Sequence, residues 1–342
     1  MGRHHVRTYK QMPGADLCAV VDIDEQRVRT VADEFGCAGY TSVDEMLSKH
    51  PQVEAVTIAV PTQFHRATAE PLLARRIACL VEKPLAPSVE DARALVESAD
   101  RHGAVLQVGH TERFNPAVRA AEALNFKARF LEVDRVSPMT FRSLDVGVVM
   151  DMMIHDLDIV LMLARSPIKS VHAAGVAVLG KHEDVASVRI VFENGCVANI
   201  TASRLALKTE RKLRVFSENG YISLNYQTRN GIVIHTAGDN IEALTRIREQ
   251  VAQGKDLSDL DYHDIIRVQE LTFDVPPGEE DQLTAEQTSF LRAVRGGSPP
   301  AVDGAAGYAA VDAAERVVRA IKEHTWEGME GSTLLLNNAE RM

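Results

Sequence analysis

Aromatic residues are scarce in this chain of 342 residues, at 5% with a single tryptophan. No stripe of basic and aromatic side chains is present, which removes the usual platform for stacking nucleic-acid bases. Positive charge is short as well. The net charge of −10 gives neither a phosphate backbone nor an anionic membrane surface a reason to attract the protein non-specifically. No apolar run approaches the ~20 residues needed to cross a bilayer. The opening Met1-Gly2-Arg3-His4-His5 is polar and has no leader-like apolar core. Cysteines number four (Cys18, Cys37, Cys79 and Cys196) and form no C-x-x-C pair. Scattered thiols of this kind are expected as buried free cysteines of a reducing compartment, which points to the cytoplasm. Internal repeats and low-complexity segments are also lacking.

What is present suits a two-domain globular protein: 45% apolar and 25% charged residues, enough for a sizeable core. Up to about residue 112, short apolar runs alternate with amphipathic stretches. Strands are expected at 16–22, 39–40, 54–59, 77–81 and 104–109, and helices at 3–12, 24–35, 43–48, 63–75 and 88–102. That rhythm predicts an α/β, Rossmann-like doubly wound parallel sheet. Beyond it the pattern changes to a strand near 128–136 and a helix at about 147–164. Strands follow at 169–179, 184–193, 196–203, 211–217, 220–225 and 231–236, with turn signals at Asn194-Gly195 and Asn219-Gly220. This predicts an α+β domain with an open, mostly antiparallel sheet, closed by helices at about 239–253, 284–295 and 304–324. The expected division is residues 1–112, 113–328 and a loosely held tail at 329–342, with the active site between the two domains.

A doubly wound sheet normally begins with a strand and a glycine-rich turn, and the helix that follows holds a pyrophosphate at its N-terminus. This chain opens at the helix. Met1-Gly2-Arg3 matches only the end of a G-x-G-x-M-G fingerprint, with Gly2 as its third glycine. Asp22 nevertheless ends the next strand, about 20 residues on, where an acid binds ribose hydroxyls. The acidic run Asp22-Ile23-Asp24-Glu25 would repel a 2′-phosphate and favours NAD over NADP. Two readings stand: a start assigned about a dozen residues late, or a truncated form that binds NAD weakly or serves a non-catalytic role. His4-His5, at the helix start, reads either as a neighbour of the cofactor or as an exposed chain-end pair.

Two constellations carry chemistry. Glu82-Lys83-Pro84 follows the buried strand 77–81 at its carboxyl end, where ligands sit in open α/β sheets. A lysine there can hold a substrate hydroxyl; equally, it can be a surface lysine before a turn. In the second, Asp151 and His155 lie four apart and share a face of an otherwise apolar helix. A histidine beside a carboxylate is a natural proton acceptor near neutral pH. The alternatives are a self-satisfied buried pair, or a metal site with Asp158 that no second His or Cys cluster supports.

Taken in order, Met1-Gly2-Arg3, Asp22, Pro61-Thr62 with His65, Glu82-Lys83-Pro84 and Asp151-x-x-x-His155 resemble the Gfo/Idh/MocA oxidoreductase family across nearly the whole chain. The resemblance implies a nicotinamide cofactor, NAD, bound by Gly2, Arg3, Asp22, Pro61, Thr62, His65, Glu82 and Lys83. It also implies that Lys83 and His155 flank a carbinol carbon, with Asp151 assisting, while hydride leaves for the nicotinamide. No metal is implied. Val108-Gly109-His110-Thr111-Glu112-Arg113-Phe114-Asn115-Pro116 and the segment 145–158 are similar to the branch that oxidises the 3-hydroxyl of UDP-N-acetylglucosamine for lipid A synthesis. There, Arg113, Asn115 and Arg142 are candidate substrate contacts beside His155. An inositol or simple-sugar dehydrogenase, or a cofactor-poor binding or regulatory protein, are the competing functions. The open sheet face, and the family resemblance with it, predict a homodimer or homotetramer.

Overall fold

The computed structural model describes residues 1–140, 146–179, 181–218, 220–235, 239–258, 268–273 and 281–326. Asn219, the expected tail from 329 and the candidate contact Arg142 lie outside the described residues. The chain forms two compact units, Met1–Phe114 with Val275–Asp312, and Asn115–Asp274 with Ala313–Met342.

The first unit alternates α1 (Gly2–Gln11), β1 (Ala19–Val21), α2 (Glu25–Phe35), β2 (Ala38–Tyr40), α3 (Val43–Lys49), β3 (Ala55–Ile58), α4 (His65–Ala74), β4 (Ala78–Glu82), α5 (Val89–His102) and β5 (Leu106–Gly109). Local chemistry sets the helix ends. Asp24, Ser42 and Ser88 accept from the amides of Arg27, Glu45 and Asp91, and Gly36 and Gly103 close α2 and α5 in the left-handed conformation that glycine adopts without penalty. All ladders are parallel, but the sheet is in two pieces: β1 pairs with β2, and β3–β4–β5 forms a second block. No ladder joins β1 to β3 among the described residues. The break falls between β1 and β3.

The sequence reading gives every late helix to the second domain, and the structure corrects this. Helix α9 (Gln282–Val294) belongs to the first unit, where Phe290 packs on Ala78 and Leu80 of β4. Gln107 of β5 donates to the Glu286 carbonyl at 2.9 Å. The chain returns because β4, buried along its whole length, needs cover on both faces. Helix α10 (Gly304–Glu323) contributes residues 304–312 to the first unit and 313–323 to the second.

The second unit holds α6 (Pro116–Ala123), β6 (Ala128–Val136), a wide π-wound turn at Val149–Met153 running into α7 (Ile154–Ala164), and β7 (Ile168–Val176). Next come β8 (Val185–Phe192), β9 (Val197–Ser203), β10 (Glu210–Ser217), β11 (Gly220–Asn225), β12 (Asn230–His235), α8 (Asp239–Ala252) and β13 (Gln269–Thr272). Eight strands form one sheet in the order β13-β12-β11-β10-β6-β9-β8-β7, antiparallel throughout except for the parallel pair β6–β9. Side chains alternate strictly in burial along β9 and β11, so one face carries the core and α7 packs on it. Helix α6 and strand β13 escape the sequence reading. Among the described residues, no helix is long and apolar enough to cross a membrane.

Candidate active site

Strand β4 is buried along its whole length and ends at Glu82, so its last residues emerge at the carboxyl edge of the parallel block. Glu82 is itself buried, and its carboxylate is held twice. His5 Nε2 lies 2.7 Å from Oε1, and the Lys83 amide donates to Oε2 at 3.2 Å. The Gln287 side-chain amide donates to His5 Nδ1 at 2.8 Å, which leaves Nε2 to carry a proton toward Glu82. Burial pushes the Glu82 carboxyl up, but the His5 hydrogen bond and charge, the Lys83 amide and the Lys83 charge together hold it below the usual carboxylate range. Lys83, half-buried, is joined to Pro84 by a cis peptide bond.

Glu286 on α9 is fully buried, and neither of its oxygens has a hydrogen-bond partner among the described residues. Burial first, and then the charge of Glu82, push its carboxyl well above the ordinary value. Glu286 therefore holds its proton more tightly than an exposed glutamate does.

Other expected cofactor residues gather at the same strand ends. Asp22 follows β1 and accepts from the Asp24 amide at 3.0 Å and from Arg27 at 3.1–3.2 Å. Pro61 and Thr62 form the turn after β3. His65 is 1% exposed, and its ring faces backbone carbonyls: Pro84 at 3.0 Å from Nδ1 and Val60 at 3.0 Å from Nε2. The ring therefore ties the turn after β3 to the turn after β4, and its nitrogens are spent on the backbone. Gly2 opens α1 over Ala59, where Met1 supplies no side-chain cap. Arg3 is exposed and pairs with Glu34 at 2.6 Å.

This donor set fits a dinucleotide. An acid stands at the end of β1 for ribose hydroxyls. A ten-residue helix begins at a glycine whose first amides are uncapped, which suits an anion. Lys83 lies at the end of β4.

In the second unit, Asp151 lies within the π-wound turn and His155 in the first turn of α7. Both are half-buried, while Met153, Ile154, Leu157, Ile159 and Val160 around them are fully buried. The two polar side chains thus occupy the accessible stripe of a helix otherwise inside the core. Asp156, by contrast, points inward, where Arg135 donates to it at 2.6 and 2.9 Å. Asp158 is 1% exposed, away from that stripe, and no group of three or more His, Cys, Asp or Glu among the described residues is set to hold a metal.

The structure moves one candidate substrate contact. Asn115 is 1% exposed and caps α6: its carbonyl accepts from the Ala117 amide at 3.0 Å, and its NH2 donates to the Tyr226 carbonyl at 3.3 Å. An amide engaged at both ends serves the fold. Arg113, half-buried in the turn after β5, keeps its candidacy. His5 is the functional neighbour that the sequence reading left undecided. His4 is exposed, whereas His5 is buried with Thr8 on the inner face of α1, a three-residue spacing that could have revealed it.

Comparison with known proteins adds to this geometry. Residues 1–110 match the GFO_IDH_MocA oxidoreductase family, described by its NAD-binding Rossmann fold, and residues 120–223 match the GFO/IDH/MocA C-terminal domain. The chain is 32% identical to a UDP-N-acetylglucosamine 3-dehydrogenase of Acidithiobacillus ferrooxidans over 94% of each chain. The solved structure of that enzyme superposes with a TM-score of 0.81. A scyllo-inositol 2-dehydrogenase of Bacillus subtilis is 28% identical over 60% of this chain and 64% of that protein. An oxidoreductase from Agrobacterium radiobacter solved with NAD+ shares the fold at 20% identity, with a TM-score of 0.76 over 94% of this chain and 93% of that one.

Proposed function

This chain belongs to the Gfo/Idh/MocA family of NAD-dependent dehydrogenases acting on CH–OH groups, and from that premise we propose that it oxidises the 3-hydroxyl of UDP-N-acetylglucosamine. The observation that carries this reading is 32% identity to the nucleotide-sugar enzyme along 94% of both chains, against 23% to a myo-inositol 2-dehydrogenase of Thermotoga maritima aligned over 91% of this chain.

NAD, when bound, supplies the hydride acceptor. Asp22 would hold its ribose hydroxyls, the Gly2 and Arg3 end of α1 would take its pyrophosphate, and Pro61, Thr62, Glu82 and Lys83 would hold the rest. His155 takes the proton of the reacting hydroxyl, and Asp151, one turn before it, orients the imidazole and stabilises the cation that this transfer forms. Lys83 donates to the oxygen that becomes the carbonyl; Glu82 fixes the turn from which it projects. Arg113, with a planar fork of donors, suits the diphosphate. Arg142 is a second candidate for that group.

The reading includes a cytoplasmic location, in keeping with four free cysteines, and a place in supplying the 3-amino sugar of lipid A. It also includes a homo-oligomer. The face of the large sheet opposite its core carries the half-buried rings of Phe130, Phe216 and Tyr221, with Phe216 5.6 Å from Phe130 and 4.7 Å from Tyr221 between ring centroids, an apolar patch suited to a second copy.

The test is NADH absorbance with UDP-N-acetylglucosamine, UDP-glucose, myo-inositol and glucose as substrates. UDP-N-acetylglucosamine should turn over fastest, and Lys83→Ala or His155→Ala should each lower kcat by roughly 10²- to 10⁴-fold. Preference for inositol would overturn the substrate; unchanged turnover in both variants would overturn the residue roles. NAD binding without turnover of any substrate would favour a binding protein.

A further inference from the structure

The helix that carries Asp151 and His155 starts without a cap of its own. Val148 stands at its N-terminal boundary, and no side chain from the adjoining sequence accepts a bond from its first amides. A helix end inside a protein needs such a partner, because a buried amide without one loses its hydration and gains no bond in return. Here the partner comes from the segment entering β8. The Glu183 backbone carbonyl accepts from the Val148 amide at 2.9 Å, and the Glu183 side-chain Oε1 accepts from the Val149 amide at 3.2 Å. Glu183 is 6% exposed, so this carboxylate has been taken out of water to reach the helix end.

Two further features show that the grip is built. Gly147 clears the space, since a Cβ at that position would overlap the Glu183 carboxylate. The next residue, Asp184, accepts from Arg204 at 2.6 Å, and Arg204 donates in turn to the Val146 carbonyl at 2.8 Å. Residues 146, 148 and 149 are therefore all held by the 183–184 pair, directly or through one arginine. The Asp151 amide then donates to the Gly147 carbonyl at 3.1 Å, which carries the placement into the π-wound turn.

We propose that Glu183 is a positioning residue for the dehydrogenase reaction: its carboxylate, seated against Gly147, fixes the start of the π-wound turn and so the placement of Asp151 and His155. The inference rests on the roles proposed above for those two residues. Catalytic groups must be held closely, because a displacement of ~1 Å can cost about 100-fold in rate.

The full-length chain and its Glu183→Ala, Glu183→Asp and Glu183→Gln variants test this with two readouts. Amide hydrogen exchange of residues 148–151 needs no substrate. In Glu183→Ala, exchange there should quicken at least roughly tenfold, and kcat should fall roughly 10- to 100-fold with KM for NAD unchanged. Glu183→Gln, which keeps an oxygen acceptor, should restore protection and kcat to within about threefold of the wild type. Should Glu183→Ala fail to fold, Glu183→Asp, one methylene shorter, carries the test and should show the loss. Wild-type exchange and kcat in Glu183→Ala, or equal damage in Glu183→Ala and Glu183→Gln at native thermal stability, overturns the proposal. If the wild type oxidises no sugar, the reading of the reaction fails, and the exchange data alone decide whether Glu183 holds the turn.

Discussion

The two units treat buried acids in opposite ways. In the second, each fully buried carboxylate described here with an ion-pair partner has an arginine of its own. Arg135 grips Asp156 through two bonds, and Arg204 grips Asp184, which also accepts from the Val178 and Leu179 amides at 2.7 Å. Burial raises the Asp184 carboxyl, but those amides and Arg204 more than offset it and hold it below its ordinary value. In the first unit, Glu82 depends on a histidine, and burial, then the charge of Glu82, push the Glu286 carboxyl well above its ordinary value. A guanidinium keeps its charge at any working pH; an imidazole and a buried acid do not. Charge is thus locked beneath the Asp151–His155 helix and left titratable behind Lys83.

This contrast can be tested in order of expected size. The largest effect should follow Arg135→Ala or Arg204→Ala, each of which strands a buried carboxylate. Denaturant unfolding should register a loss of ~3–5 kcal/mol. Next is His5→Ala, expected to cost ~1–3 kcal/mol at neutral pH by leaving Glu82 without its partner. Because the folded Glu82 carboxyl lies below its unfolded value, its contribution is full above the ordinary carboxylate range and disappears as pH falls through the folded value. The gap between wild type and His5→Ala should therefore close on acidification.

Glu286→Gln should act with the opposite sign. A carboxyl raised in the folded state favours folding at low pH and loses that advantage as pH rises toward the folded value. The amide should raise Tm by on the order of 3 °C at pH 8 and leave it nearly unchanged at pH 4. The smallest effect belongs to Arg3→Ala, on an exposed ion pair. Tm should not move measurably, so a rise in KM for NAD would isolate a contact with the cofactor.

Periodicity made much of this architecture legible. The first unit's strands and helices, and seven of the second unit's strands, lie within a few residues of their expected places. Local signals sufficed there: apolar strands, Ser and Asp caps, Gly after helices. Helix α6 has such a signal too, Asn115 followed by Pro116 at the first helical turn, but the same pair lies in a segment that resembles a substrate-binding motif. What stayed hidden is tertiary. Nothing in residues 282–294 says that Phe290 will cover β4, or that Glu286 will be sealed near Glu82. The candidate site divides the same way. Lys83, Asp151 and His155 were visible from their positions on a strand end and a helix face, whereas the holding of Asp151 through Glu183 spans 32 residues of sequence and leaves no local trace.

The two-piece parallel sheet bears on how the cofactor unit opens. The β1–β2 piece, with Asp22 at its edge, is laced by a ladder of only three residue pairs, while β3–β4–β5 carries the packed core beneath Phe290. Pieces without a shared ladder can open as separate foldons. Amides of residues 19–21 and 38–40 should then exchange well before those of 78–82, and saturating NAD should slow the first group most. The free energy of ordering the β1–β2 foldon would be drawn from the binding energy of the dinucleotide, making cofactor affinity a measure of how firmly that small ladder is closed.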